Sequence, residues 1–425
     1  MKKKKAPLGR RITEFLKTSV ICGPLDHNLF FTIIFLNVYG IIMVYSASYN
    51  NSITKNYSYF MNNQLKNVIF GFIIMIIASY INYHRIVRFG WGWFWLLAAV
   101  AIIAALKTPL AHSELGATRW IKLGSISFQA AEPIKAAIII FFAYYVSYWG
   151  LNRWYNQVLA CLLAIALLGF LFFFSNNLST VIVLFCICAV IILSSVKKPD
   201  LYWYFLIGLA LVIIAAIGVT VYLLMHQGAE NFRFVRIRAW LHPEEYAADE
   251  GLQAMQARYA IGAGGFWGKG LGQSLIKFKL SYSYNDFILA IICEELGVFG
   301  VIVMMTLFGY LLYRIYKIAQ NAWDIEGKVL AIGVFTQIAL QLLINVMVVT
   351  SVIPTTGVTL PFFSAGGTSV VFLLAELGMV LNVDKYAKER RFFEEAERHV
   401  AQMEQRGGIG AAGWRRRLDS ARTHR

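Results

Sequence analysis

Charge is scarce in this chain. Only 15% of its 425 residues are Asp, Glu, Lys or Arg, and it has just 8 prolines and 5 cysteines. With 58% apolar residues and a mean hydropathy of +0.59, that balance excludes an ordinary soluble domain and identifies a polytopic membrane protein. The cysteines, Cys22, Cys161, Cys186, Cys188 and Cys293, have no C-x-x-C spacing and mostly fall in apolar runs. They read as small apolar side chains, not as metal ligands or a disulfide framework. A cleavable leader is not expected: the basic start "MKKKKAPLGRRITEFLK" is long, the run after it is about 20 residues, and no convincing cleavage site follows. Phosphate-loop motifs fail as well. In "AIGAGGFWGKGLGQS", Ala263 stands where a Walker loop needs Gly and Gly270 where it needs Ser or Thr, and no strand is available for a dinucleotide fold.

What is present is a series of apolar runs long enough to span a bilayer. Ten are counted, at roughly 28–48, 65–83, 89–107, 130–149, 156–174, 178–195, 201–225, 286–316, 328–353 and 362–382. The expected fold is an all-α polytopic membrane protein of ten helices. A basic N-terminus (1–27) precedes the membrane domain (28–382), a large outer loop (226–285) separates helices 7 and 8, and a basic tail (383–425) follows. Arg85 and Arg88, Arg153, Lys197 and Lys198, and Arg314 and Lys317 fall on the side of the basic N-terminus. The short loops opposite are nearly free of positive charge except at Arg119 and Lys122, so both termini are expected in the cytoplasm. The tail holds 11 Lys and Arg against 7 Asp and Glu, and Phe392, Phe393, Ala396, Val400 and Met403 recur at roughly helical spacing. A solvated helix with a basic end resting on anionic lipid accounts for this, and a partner-docking helix is the alternative.

Three polar clusters open onto the outer side. In "GATRWIKLGSISFQAAEPIK", Gln129, Glu132 and Lys135 recur every three residues, with Pro133 suited to a first helical turn. Glu132 and Lys135 are expected to pair, either to fix packing or to act on a substrate. The segment 232–280 is basic and crowds Gly262, Gly264, Gly265, Gly268, Gly270 and Gly272 together. It reads as an amide-rich loop able to hold a pyrophosphate, or as a glycine-kinked re-entrant segment with no ligand. In 353–369, "IPTTGVTLPFFSAGGTS" predicts irregular backbone at membrane depth, preceded by a stripe of Gln337, Gln341 and Asn345. "NDFILAIICEELG" then places Asp286 at the mouth of a spanning run, with Glu294 and Glu295 read as the only deep acids.

These motifs resemble the SEDS (shape, elongation, division and sporulation) family of FtsW, RodA and SpoVE, with a lean toward FtsW. "RWIKLGSISFQAAEPIK" resembles its RWI-x-LG…Q-x-x-E-x-x-K, and "ARYAIGAGGFWGKGLGQS" its AIG-x-GG-x-x-G-x-G-x-G-x-S. "DFILAIICEELG" resembles DFIFA-x-x-x-EELG, and "PTTGVTLPFFSAGGTS" resembles P-x-TG-x-x-LPF-x-SYGGSS. The resemblance implies polymerisation of lipid II into glycan strands beside a class B penicillin-binding protein and other divisome or elongasome membrane proteins. It implies no nucleic acid and no certain cofactor, although a divalent cation (Mg or Mn) is compatible with it.

By that resemblance Asp286 is the general base, Lys135 and Glu132 complete the catalytic set, and Arg119 and Arg236 contact pyrophosphate. Gln129, Gln253, Lys269 and Ser364 are expected to bind substrate. Glu294 and Glu295 are expected to be structural. The chain departs from the family pattern at Ser281–Asn285, at Asn176–Thr180 where an acid is lost, at Ala130–Ala131 and at Ala365. A proton-coupled carrier for lipid II and a silent scaffold are the alternatives. A carrier needs essential charges at the midplane, whereas these gather at one face.

Overall fold

The computed structural model describes residues 25–48, 59–109, 111–114, 117–123, 126–175, 177–196, 237, 239–241, 243–245, 250–278, 285–364, 367–405 and 415. The apolar run at 201–225 and Arg236 therefore lie outside the described residues, as does Cys22. The expected long spans fold as helices: α1 (His27–Ser48), α2 (Tyr59–Tyr80), short α3 (Tyr83–Val87) and α4 (Trp93–Ala105). After them come α5 (Ala131–Trp149), α6 (Trp154–Ser175), α7 (Leu178–Ser195) and α8 (Glu250–Gly264). Last are α9 (Ile288–Gln320), α10 (Ile325–Val349) and α11 (Thr368–Gln405). Among the described residues, six helices are long and apolar enough by themselves to cross a membrane. Apolar side chains such as Phe35, Leu97, Phe173 and Ile302 are exposed on the bundle, which suits contact with lipid tails.

The structure corrects the all-α expectation at one place. Ala111–Glu114, Ala117–Leu123 and Ile126–Gln129 form an antiparallel sheet in the order β1-β2-β3. The last pair in the β2–β3 register is Leu123 with Ile126, so the two strands are separated in sequence only by Gly-Ser, a hairpin signal. Gln129 consequently ends a strand and does not share the first turn of α5 with Glu132 and Lys135.

Two helices also differ from their apolar runs. The helix α11 continues without a break to Gln405, so the helically spaced tail residues extend the last spanning run. In α9 the backbone leaves helical geometry at Gly297 (φ 66°, ψ −164°), which breaks the long run 286–316 near the carboxylates Glu294 and Glu295. Pairing at the end of the bundle opposite Asp286 joins α3 to α10. Tyr83 Oη donates to Asp324 Oδ2 at 2.6 Å, His84 Nε2 lies 2.7 Å from the same oxygen, and the Gly327 N–H donates to Oδ1 at 2.8 Å.

Candidate functional site

The glycine-rich segment after α8 is occupied by α9 itself. Where α9 breaks, the freed carbonyls of Glu294 and Glu295 accept from Lys269 N–H and Gly270 N–H, each at 2.9 Å. The freed N–H groups of Val298 and Phe299 donate to Gly265 O and Phe266 O, each at 3.1 Å. This backbone approach explains the glycines: a Cβ on Gly268, where φ is +76°, would meet Glu295 O at 2.2 Å.

The carboxylates complete the lock. Glu294 accepts from Lys269 Nζ at 2.8 Å, Ser274 Oγ at 2.5 Å, Leu275 N–H at 3.2 Å and Ile276 N–H at 3.4 Å. Glu295 accepts from Ser46 Oγ at 2.5 Å and Ser274 N–H at 3.3 Å, with Lys277 Nζ 3.5 Å away. The anion held by this loop is therefore the protein's own Glu294. Lys269, where substrate contact was expected, is engaged by Glu294. Glu294 and Glu295 are both paired and hydrogen-bonded within the bundle.

The segment 353–364 is pinned from three directions. Ser179 Oγ on α7 donates to Thr356 O at 2.9 Å. Asn345 Nδ2 on α10 donates to Val358 O at 3.0 Å and to Asp286 O at 2.9 Å. Ser364 Oγ donates to Asn285 O at 2.8 Å and accepts from Leu360 N–H at 2.7 Å. Ser364 thus ties this segment to the mouth of α9 and spends its hydroxyl on backbone. Phe362 sits in the left-handed region (φ 66°) beside Gly40 of α1, where a Cβ would lie 2.3 Å from the Phe362 carbonyl oxygen. Such strain persists only where the surroundings hold it, and Phe362 and Phe363 are fully buried.

Facing this segment is the start of α5. Lys135 Nζ lies 2.9 Å from Glu132 Oε1 and 2.8 Å from Oε2, and both residues are buried. The pair lines a cleft of about 340 Å³ with Gln129, Asn177, Ser179, Thr180, Gln341 and Gly357–Thr359. On the other side of Glu132 and Gln341, a second, small cavity runs along Thr359–Phe362, Ser364, Ser369, Val370 and Leu373.

Asp286 is half-buried in the turn that opens α9. Its backbone and the cleft wall share one clasp, because Asn345 holds Asp286 O and Val358 O together. The structure thus joins Asp286 to the Glu132–Lys135 cleft through the 357–364 segment, with Gln129 on the cleft wall and Ser364 on that segment. Gln253 lies apart, half-buried on the first turn of α8. Arg119 is on β2 with its side chain outside the described residues, and Arg236 is outside them altogether.

Sequence reasoning missed Glu376, which is buried on α11 and accepts from Gln337 Nε2 at 2.8 Å. Its signal was available: an acid in the apolar run "VVFLLAELGMVLNV". Among the described residues no three His, Cys, Asp or Glu side chains converge as a metal cage.

The cleft places a buried cation beside hydroxyl and amide groups at one end of the bundle, and a carboxylate at the neighbouring helix mouth. That combination can hold an anion and accept a proton. Comparison with known proteins agrees with the motifs. The family profile for the FtsW, RodA and SpoVE cell cycle proteins matches residues 26–389. A probable peptidoglycan glycosyltransferase FtsW of Trichlorobacter lovleyi is 32% identical over 382 residues, covering 87% of this chain and 96% of the relative. Stage V sporulation protein E of Bacillus subtilis is 32% identical over 372 residues, covering 84% and 96%.

In fold, the chain is similar to a chain from a peptidoglycan synthase complex described as coordinating polymerization and crosslinking, with a TM-score of 0.71, 22% identity and coverage of 85% of this chain and 98% of that one. The rod shape determining protein RodA of Thermus thermophilus gives a TM-score of 0.61 at 21% identity, with coverage of 85% and 97%. This chain belongs to the FtsW, RodA and SpoVE family of cell cycle proteins.

Proposed function

We propose that this protein is a peptidoglycan glycosyltransferase that polymerises lipid II at the outer face of the cytoplasmic membrane, with a class B penicillin-binding protein as its partner. In this reading the chain crosses the membrane ten times within 28–382, both termini are cytoplasmic, and 226–285 is the outer loop. Asp286 takes the proton of the acceptor hydroxyl as the new glycosidic bond forms. Lys135 meets the negative charge of the departing pyrophosphate, and Glu132 orients it. Arg119 and Arg236 join the pyrophosphate contact, while Gln129 and Gln253 contact the substrate. Lys269 holds the Glu294 carboxylate, and Ser364 positions backbone.

The observation that carries the reading is the Asn345 clasp, which holds the Asp286 backbone against the wall of the Glu132–Lys135 cleft. Glu294 and Glu295, the two acids that favoured a carrier in the sequence, are engaged by Lys269, Ser274, Lys277 and Ser46. Purified protein, lipid II and the partner with its transpeptidase blocked provide the test, with polymer read on a gel. Wild type should make polymer, and Asp286→Ala should lose at least about 100-fold. Equal polymer from both would remove Asp286 as the base. No polymer from either, in folded preparations, would turn the reading to a carrier or a scaffold.

A further inference from the structure

Glu376 lies directly beneath the cavity that Glu132 and Gln341 line. Ser369 and Leu373, seven and three residues before it on the same face of α11, border that cavity, and Gln337, four residues before Gln341, donates to it. The site is unusual in what remains unsatisfied. The second oxygen of Glu376 and the side-chain oxygen of Gln337 are both buried, and neither has a hydrogen-bond partner. An ionised carboxylate offers no donor to either atom, and an unpaired charge in such a place is costly. One proton on Glu376 supplies the missing donor and makes the group neutral.

The neighbouring charges fit the same state. Glu132 on α5 lines the same cavity as Ser369 and Leu373, and it is already paired with Lys135. From α10 it is met by the uncharged Gln337. On α2, which packs along α11, Lys66 is exposed and does not act on it. The acids of α9 near this depth, Glu294 and Glu295, are held by Lys269 and Lys277.

We propose that Glu376, held by Gln337, is a protonated positioning residue behind the Glu132–Lys135 pair. Neutral, it leaves Lys135 to Glu132 and the cleft. Ionised, with its proton released to cleft water, it competes for Lys135 and draws that charge away from the cleft.

The functional half of this inference rests on the glycosyltransferase reading; the protonation half does not. Infrared difference spectra of the full-length protein in lipid should show the C=O stretch of a protonated carboxyl that Glu376→Gln removes. A wild-type spectrum without that band, or a band that survives in Glu376→Gln, overturns the proposal. Polymerisation by Glu376→Gln should stay within about twofold of wild type near neutral pH, then exceed it by about fivefold or more in alkaline buffer. Superimposable pH profiles overturn the positioning role. Should Glu376→Gln not assemble, Gln337→Met keeps the acid and removes its donor, and the band must then shift. A wild type that makes no polymer counts against the glycosyltransferase reading, while the infrared band still decides the protonation.

Discussion

Two acid–base pairs of this molecule, Glu294–Lys269 and Glu132–Lys135, are built differently. Glu294 faces Lys269 and also receives a serine hydroxyl and two backbone N–H groups, so its oxygens have more donors than one charge requires. Glu132 receives Lys135, and the pair borders open space with amides and hydroxyls around it. A saturated carboxylate has nothing left to offer a ligand and fixes backbone. A sparsely satisfied pair beside a cleft can exchange one partner for a substrate. The number of donors around a buried charge, more than its burial, separates framework from site.

The sharpest way to break this contrast is to remove the saturated acid. Glu294→Ala strands Lys269, Ser274 and two backbone donors, and should cost about 3–5 kcal/mol, the usual scale for breaking a buried pair. Thermal unfolding in detergent should show a large loss or no folded protein. An unchanged melting temperature would end the framework assignment.

The open pair should respond in the opposite sense. Lys135→Met should keep its melting temperature close to wild type, because Glu132 can turn to the cleft, yet lose polymerisation by about 100-fold or more. Near-normal activity in a folded Lys135→Met protein would make the pair structural too.

The smallest effect is expected at the far end, where a third carboxylate tests whether saturation alone predicts stability. Burial pushes the pKa of Asp324 up, but hydrogen bonds from His84, the Gly327 N–H and Tyr83 outweigh it and hold the acid below its ordinary value. A depressed folded pKa contributes stability above the unfolded value, and that contribution disappears as pH falls through the folded value. Asp324→Asn should therefore melt below wild type at neutral pH by on the order of 2–4 °C, with the gap closing below about pH 4. A gap independent of pH would show that the charge of Asp324 contributes nothing.

The sequence was most legible where information is local. Hydropathy located the runs that became α1, α5, α6 and α7 to within about two residues, because lipid rewards apolarity residue by residue. The i, i+3 spacing of Glu132 and Lys135 predicted their pairing, since helix geometry alone brings them together. The β-hairpin was readable only faintly, from Leu-Gly-Ser-Ile, because an irregular outer segment gives no periodic signal over so few residues.

The role of the glycines stays open in the sequence for a deeper reason. Six glycines among basic residues suit a phosphate or another stretch of backbone equally well, and only the packed chain shows that Gly268 abuts Glu295. Composition, order and motifs thus determined the membrane class, most of the helices and the residues available for chemistry. The tertiary structure decided which charges are already spent, which cleft Lys135 enters, and that Glu376 stands behind it. Those outcomes depend on contacts between residues tens to hundreds of positions apart, such as Ser46 with Glu295, and no local pattern encodes them.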